Sequence, residues 1–220
     1  RGCKTLLSKL DKYKKLEKDI LPALRRTQIN VTYDKIGWSD EELKALSTSN
    51  PDTLTAEELL FTAALYDNLD EKMRLYNEVV RQYPEDWRGP NNVAYVLMMQ
   101  NKLEEAKKEL DKANSIAPNT PVINNNLGVY ERANGNNEKA MEYYAAAKGA
   151  GAEVGNNIGY LQIKSGDYAD AVSNYGSVKS FNAALAQTLN KDYQTALQTI
   201  DASPSADQAA GYYLKAVIGA

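Results

Sequence analysis

Two stretches of this chain carry the same phrase in the same register: Leu127-Gly128, Gly135, Ala140, Tyr144 and Ala147, then Ile158-Gly159, Gly166, Ala171, Tyr175 and Val178. Measured from the first residue of each, the later members stand one, eight, thirteen, seventeen and twenty positions on. Self-similarity at a fixed period marks a chain built from stacked small units. Upstream, Val93-Ala94 with Ala106, Leu110 and Ala113 repeats the phrase, and Pro118 closes that unit. Leu59-Leu60 with Tyr76, Val79 and Pro84 is an earlier copy in which Lys72 replaces the small residue, and Ala183-Ala184 with Ala196 and Ile200 is a later one. Taking each unit to begin six residues before its phrase puts the starts near 53, 87, 121, 152 and 177, at spacings of 34, 34, 31 and 25.

The residues between these positions read as helix, turn and helix. Val93, Ala94 and Leu97 share one helical face, and Ala106, Leu110 and Ala113 share a face on the next helix. Small residues let the two helices approach, and larger ones fill the space between. Asn101-Lys102, Asn134-Gly135-Asn136-Asn137, Ser165-Gly166-Asp167 and Asn190-Lys191-Asp192 supply the turns. The period and these residue types resemble the tetratricopeptide repeat, over about residues 53 to 203, most strongly in the middle three units. The resemblance implies an all-α chain folded as a right-handed superhelical solenoid of antiparallel helix pairs. The shortened last two spacings predict that the stack tightens or bends after about residue 148.

Both ends depart from the repeat. Residues 1 to 35 hold ten Lys or Arg against four Asp or Glu, while the whole chain carries −3. Leu6, Leu10, Tyr13, Leu16, Ile20 and Leu24 recur at helical spacing, so the lysines read as the solvated face of an amphipathic helix, interrupted at Pro22, in preference to a nucleic-acid surface. Asn30 to Tyr33 reads as extended. Ser39 with Glu42, and Thr55 with Glu58, read as capping boxes, and Asn50-Pro51-Asp52 as a break. Residues 1 to 52 are expected to form a helical cap and connector against the first repeat. Residues 204 to 220 read as the first helix of an incomplete sixth repeat, which predicts a longer protein or a second molecule over that end. The missing initiator Met and signal peptide fit a mature or excised chain.

Composition narrows the chemistry. There is no His and one Cys, which removes His-based triads and zinc sites with His or several thiolates. Cys3 has no internal disulfide partner, and Arg1-Gly2 before it is not the apolar context of a lipoprotein signal. Gly149-Ala150-Gly151 with Gly155 spaces its last glycine one position late for a dinucleotide loop and reads as an inter-repeat loop. No pair of carboxylates is marked for catalysis or calcium. No run of about eighteen apolar residues would span a membrane. The chain is therefore expected to be non-enzymatic, without catalytic residues, metal or cofactor.

A surface remains. Asn91, Tyr95, Met98 and Met99 fall roughly opposite Val93 and Leu97 on one helix. In the family resembled, the first helices of successive units line a concave groove that holds a peptide or helix. Carried over, that implies a groove of Arg88, Asn91, Asn92, Tyr95, Met98 and Met99 in the second unit. The third adds Asn125, Asn126, Val129 and Arg132, and the fourth Asn156, Asn157, Tyr160 and Lys164. Asn92, Asn126, Asn157 and Asn182 occupy the sixth place of four units, and Asn91, Asn125 and Asn156 precede three of them. Such amides fit a ladder for an extended backbone and equally a local role at the helix start. The apolar residues fit a ligand face or burial beneath a neighbouring helix or domain. A family subclass holds chaperone C-termini with Lys at the fifth place and Asn at the ninth; here the fifth places of the middle three units are Asn and not Lys, and the ninth places are Phe61, Tyr95, Val129 and Tyr160, which points away from that role. The expected function is a scaffold binding a protein or peptide segment. The alternative is a spacer or assembly module in a larger cell-envelope protein, its groove filled by flanking domains of the same chain. The richness in Asn and Tyr resembles bacterial cell-envelope repeat proteins, and Asp52-Thr53-Leu54 matches a three-residue O-glycosylation signal used outside the cytoplasm in some such bacteria; the resemblance implies a periplasmic or surface location and leaves a cytoplasmic one open.

Overall fold

The structure is a computed structural model that describes residues 37–149 and 151–219. The amphipathic segment expected at 6–24 and the extended one at 30–33 lie outside these residues. The chain divides into two compact units, Arg1–Trp38 and Ser39–Ala220, and the architecture below is that of the second. Its described residues form twelve α-helices and one 3-10 turn, with no strand.

The first helix, α1 (Asp40–Ser49), opens on a capping box in which Ser39 N donates to Glu42 Oε2 at 2.8 Å while the Ser39 hydroxyl accepts from Glu42 N. A 3-10 turn (Pro51–Thr53) leads to α2 (Ala56–Ala64), which repeats the device with Thr55 and Glu58. Helix α3 (Leu69–Gln82) is capped by the Asn68 side chain. Eight further helices follow in pairs: α4 (Arg88–Met99) with α5 (Leu103–Ile116), α6 (Pro121–Ala133) with α7 (Asn137–Ala146), α8 (Ala152–Ser165) with α9 (Tyr168–Tyr175), and α10 (Phe181–Leu189) with α11 (Tyr193–Asp201). The last helix is α12 (Ala209–Gly219). Because α8 starts at Ala152, Gly155 sits within the helix and the expected loop is shorter; a Cβ there would meet the Asn174 carbonyl at 2.6 Å.

The turn inside each of the last four pairs is the same object. Asn101, Gly135, Gly166 and Lys191, each fifteenth in its unit, take φ of 58, 83, 91 and 68°. The next residue's N–H closes back on the carbonyl five before it: Lys102 on Leu97, Asn136 on Glu131, Asp167 on Gln162 and Asp192 on Gln187, at 2.8–2.9 Å. This is the Schellman closure of a helix end. It reverses the chain within three residues and lays the second helix back along the first.

What holds each pair together is a matched small-and-large contact. Position two of the phrase on the first helix faces position eighteen on the second: Ala94 with Leu110, Gly128 with Tyr144, Gly159 with Tyr175, Ala184 with Ile200, all buried. Where the large partner is Tyr, the small one is Gly. A Cβ on Gly128 would stand 2.4 Å from the Tyr144 ring, and one on Gly159 2.7 Å from the Tyr175 ring. Ala106, Ala140, Ala171 and Ala196 on the second helices are fully enclosed. The core runs continuously from Leu43 of α1 to Leu127 of α6 and then divides into three smaller clusters, around Tyr144, Tyr175 and Ile200. The division coincides with the shortened units.

Replacing Gly128 with Ala should destabilise the fold by about 1–3 kcal/mol through overpacking against Tyr144. Combined with Tyr144→Leu, it recreates the Ala94–Leu110 pairing, so the double variant should be less destabilised than the sum of the single variants by on the order of 1 kcal/mol in urea unfolding followed by circular dichroism.

Candidate functional site

The first helices of three successive pairs, α4, α6 and α8, present one face to a cavity of about 480 Å³. It is lined by Tyr95, Met98 and Met99 of α4, Asn125, Asn126, Val129, Arg132 and Ala133 of α6, and Asn156 and Asn157 of α8. Of the residues marked in the sequence, nine therefore surround one space; Ala133 joins them unmarked, following Arg132 on the same turn. Larger hollows of about 640 Å³ exist, but each is bounded by one loop alone, Tyr83–Arg88 or Gly135–Lys139. A hollow with walls on three helices has the enclosure that those lack.

The apolar part of the cavity is accessible. Tyr95 is 41% and Met99 61% exposed, beside half-buried Met98 and Val129. Val93, Val96 and Leu97 of the same helix are buried. So α4 is apolar on both sides, with only one side used by its neighbours.

The asparagines face each other. Asn126 Nδ2 donates to Asn91 Oδ1 at 2.9 Å, and Asn157 Nδ2 donates to Asn125 Oδ1 at 3.0 Å. Each bond joins the sixth place of one unit to the fifth place of the unit before it. Asn91 is only 2% exposed and also donates to Asn92 Oδ1 at 3.2 Å. Spacing puts Asn91 on the groove face, but the neighbouring pair covers it. The next rung would link Asn182 to Asn156. Instead Asn182 lies beside the Tyr175 hydroxyl, which burial pushes up to about 12 against the opposing influence of that amide. Asn156 Oδ1 is left buried with no hydrogen-bond partner.

The charged residues divide likewise. Arg88 is engaged, its guanidinium on Asp86 and, at 2.9 Å, on Glu57; that contact holds the Asp86 carboxyl below the usual carboxylate range. Arg132 and Lys164 both stand over the Tyr160 ring, 5.2 and 5.8 Å from its centroid. Arg132 also lies beside the Tyr144 hydroxyl, which burial raises and the guanidinium partly restores. Tyr160 and Lys164 thus extend the site past the cavity along α8. Glu131, next to Arg132 on α6, is buried and holds the turn into α7, accepting from Lys139 at 2.6 Å and Asn136 at 2.8 Å. Burial opposes ionisation of Glu131, but these two donors outweigh it and leave its pKa lowered. Among the described residues no helix is long and apolar enough to cross a membrane.

The sequence matches no family model and no curated protein. Solved structures share the fold. The Cut9–Hcn1 hetero-tetramer of APC/C superposes on 81% of this chain with a TM-score of 0.69 at 16% identity. PilF of Pseudomonas aeruginosa also covers 81%, with a TM-score of 0.58 at 18% identity. This chain spans 39% of the first and 86% of the second. Cut9 and PilF are tetratricopeptide-repeat proteins, so the helical solenoid expected from the repeated phrase is the fold observed.

Removing the Asn126 amide with Asn126→Ala leaves Asn91 Oδ1 enclosed without its donor, and should cost about 1–3 kcal/mol. An Asn91→Ala, Asn126→Ala cycle in urea should show positive coupling between them. The Glu131 contribution has a defined sign with pH. Its folded pKa lies below the ordinary 4.5, so the stabilisation is complete above about pH 4.5 and lost as pH falls through the lower folded value. Melting temperatures measured through that range should fall less steeply for Glu131→Gln than for the parent protein.

Proposed function

We propose that this protein is a scaffold that captures an extended protein segment in the groove of α4, α6 and α8. The observation that carries the reading is the accessible apolar floor of Tyr95, Met98, Met99 and Val129 in a hollow walled by three successive helix pairs. Burying a Met or aromatic side chain contributes about 1.5–3 kcal/mol, against about 0.5–1.5 kcal/mol for a neutral hydrogen bond. The apolar floor therefore dominates affinity. Met is unbranched and polarizable, so a floor with two of them adapts to more than one side chain.

The asparagines take a different part in this reading. Asn126 and Asn157 spend a donor each on the neighbouring unit, so they hold the groove helices in register more than they grip a ligand. Their remaining amide groups, with Asn125 and Asn156, set the direction of a backbone lying across them. The shared fold supports a role in protein association, since Cut9 is solved in a hetero-tetramer with Hcn1.

Selection of displayed random peptides against the protein should converge on a motif with an apolar anchor. Met98→Ser and Met99→Ser together should weaken the selected peptide by about tenfold or more. Unchanged affinity in a variant with unchanged helicity would overturn the assignment of the groove.

A further inference from the structure

The groove carries a charge pattern that its apolar floor does not explain. Among the described residues, seven cations are ion-paired with carboxylates, including Arg74, Arg81 and Arg88. Arg132 and Lys164 are in none of those pairs, yet both are gathered on the ring of Tyr160. No Asp or Glu lines the cavity beside them. In a chain of net charge −3, this sets two cations together at a cavity whose lining holds no carboxylate. The aromatic face holds the two cations near each other, offsetting part of their repulsion.

Two unmade hydrogen bonds lie in the same wall. Arg132 Nε and Asn156 Oδ1 are buried, and neither has a hydrogen-bond partner. Buried donors and acceptors are nearly always satisfied, and leaving them unmade is costly. The acceptor is free because the third asparagine rung is absent. Arg132 lies beside the Tyr144 hydroxyl, itself buried without a partner, so the group left for a peptide is Asn156 Oδ1, which a peptide N–H would satisfy once the amide turns toward the cavity.

We infer that the occupant of the groove is an acidic peptide, with an Asp or Glu carboxylate held between Arg132 and Lys164 at Tyr160 and a neighbouring apolar side chain seated on Met98, Met99 and Val129. This rests on the groove being the binding site. Arginine meets a carboxylate through two parallel hydrogen bonds, while Lys164 adds a point charge from the open side. The floor supplies most of the affinity, and the cations choose among apolar segments by charge.

The test uses short fluorescent peptides, acetylated and amidated so that only side chains carry charge. Each has Glu beside Leu or Phe and is paired with its Gln and Lys counterparts. Fluorescence anisotropy should show the Glu peptides binding about tenfold tighter than the Gln peptides, with the advantage lost near 1 M salt, where the Debye length is about 3 Å. Lys164→Gln, at an exposed position, should remove most of that advantage, and Arg132→Gln should do the same. Equal binding of Glu and Gln peptides, tighter binding of Lys peptides, or a Lys164→Gln protein with the preference intact would overturn the inference while sparing the groove. Absence of binding by every peptide to the parent protein would overturn both.

Discussion

The architecture depends on how closely two helices approach inside each pair. At Gly128 and Gly159 the approach is so tight that no Cβ fits beneath the tyrosine ring of the second helix. With Ala at this place, the opposing residue is Leu110 or Ile200. The total volume across the contact is thus kept roughly constant while its division between the two helices changes, as a close-packed interior requires. The turn chemistry acts with it. A left-handed residue at the fifteenth place and its closing backbone bond fix where the second helix begins, and so which residues meet.

That geometry determines what the first helices offer on their other side. Each first helix is covered by its own partner and by the next pair, which consumes two faces. The third face is the groove. Across it the asparagine pairs tie α4 to α6 and α6 to α8, and the tie ends at Asn156, Asn182 lying beside Tyr175. The core divides over the same half of the chain. Regular packing therefore encloses the early polar groups, and its interruption leaves Asn156 without a partner.

The repeated phrase made the helix pairs, their turns and their buried small residues legible, because those positions answer to contacts within one unit. Both capping boxes were legible for the same reason, being local. Contacts between units were less so. A helical wheel drawn for one partner puts Asn91 opposite Val93 and Leu97, and cannot show that the following pair closes over it. The doubled asparagines were the only signal, and nothing in one unit shows that Asn91 pairs with Asn126, or Asn125 with Asn157, across units. Arg88 is similar, since its partner Glu57 comes from the preceding pair. The gathering of Arg132 and Lys164 on Tyr160 joins two units as well, and nothing in the spacing of the three residues marks it.

The chain contains four methionines: Met98 and Met99 on the groove, Met73 on α3 and Met141 on α7. Methyl-labelled methionine therefore reports on the central claim with two probes in the groove and two away from it. On titration with a peptide selected for binding, the account predicts NMR shift changes at Met98 and Met99, with Met73 and Met141 essentially still. Saturable binding that moves Met73 or Met141 and leaves the groove pair unmoved would contradict it.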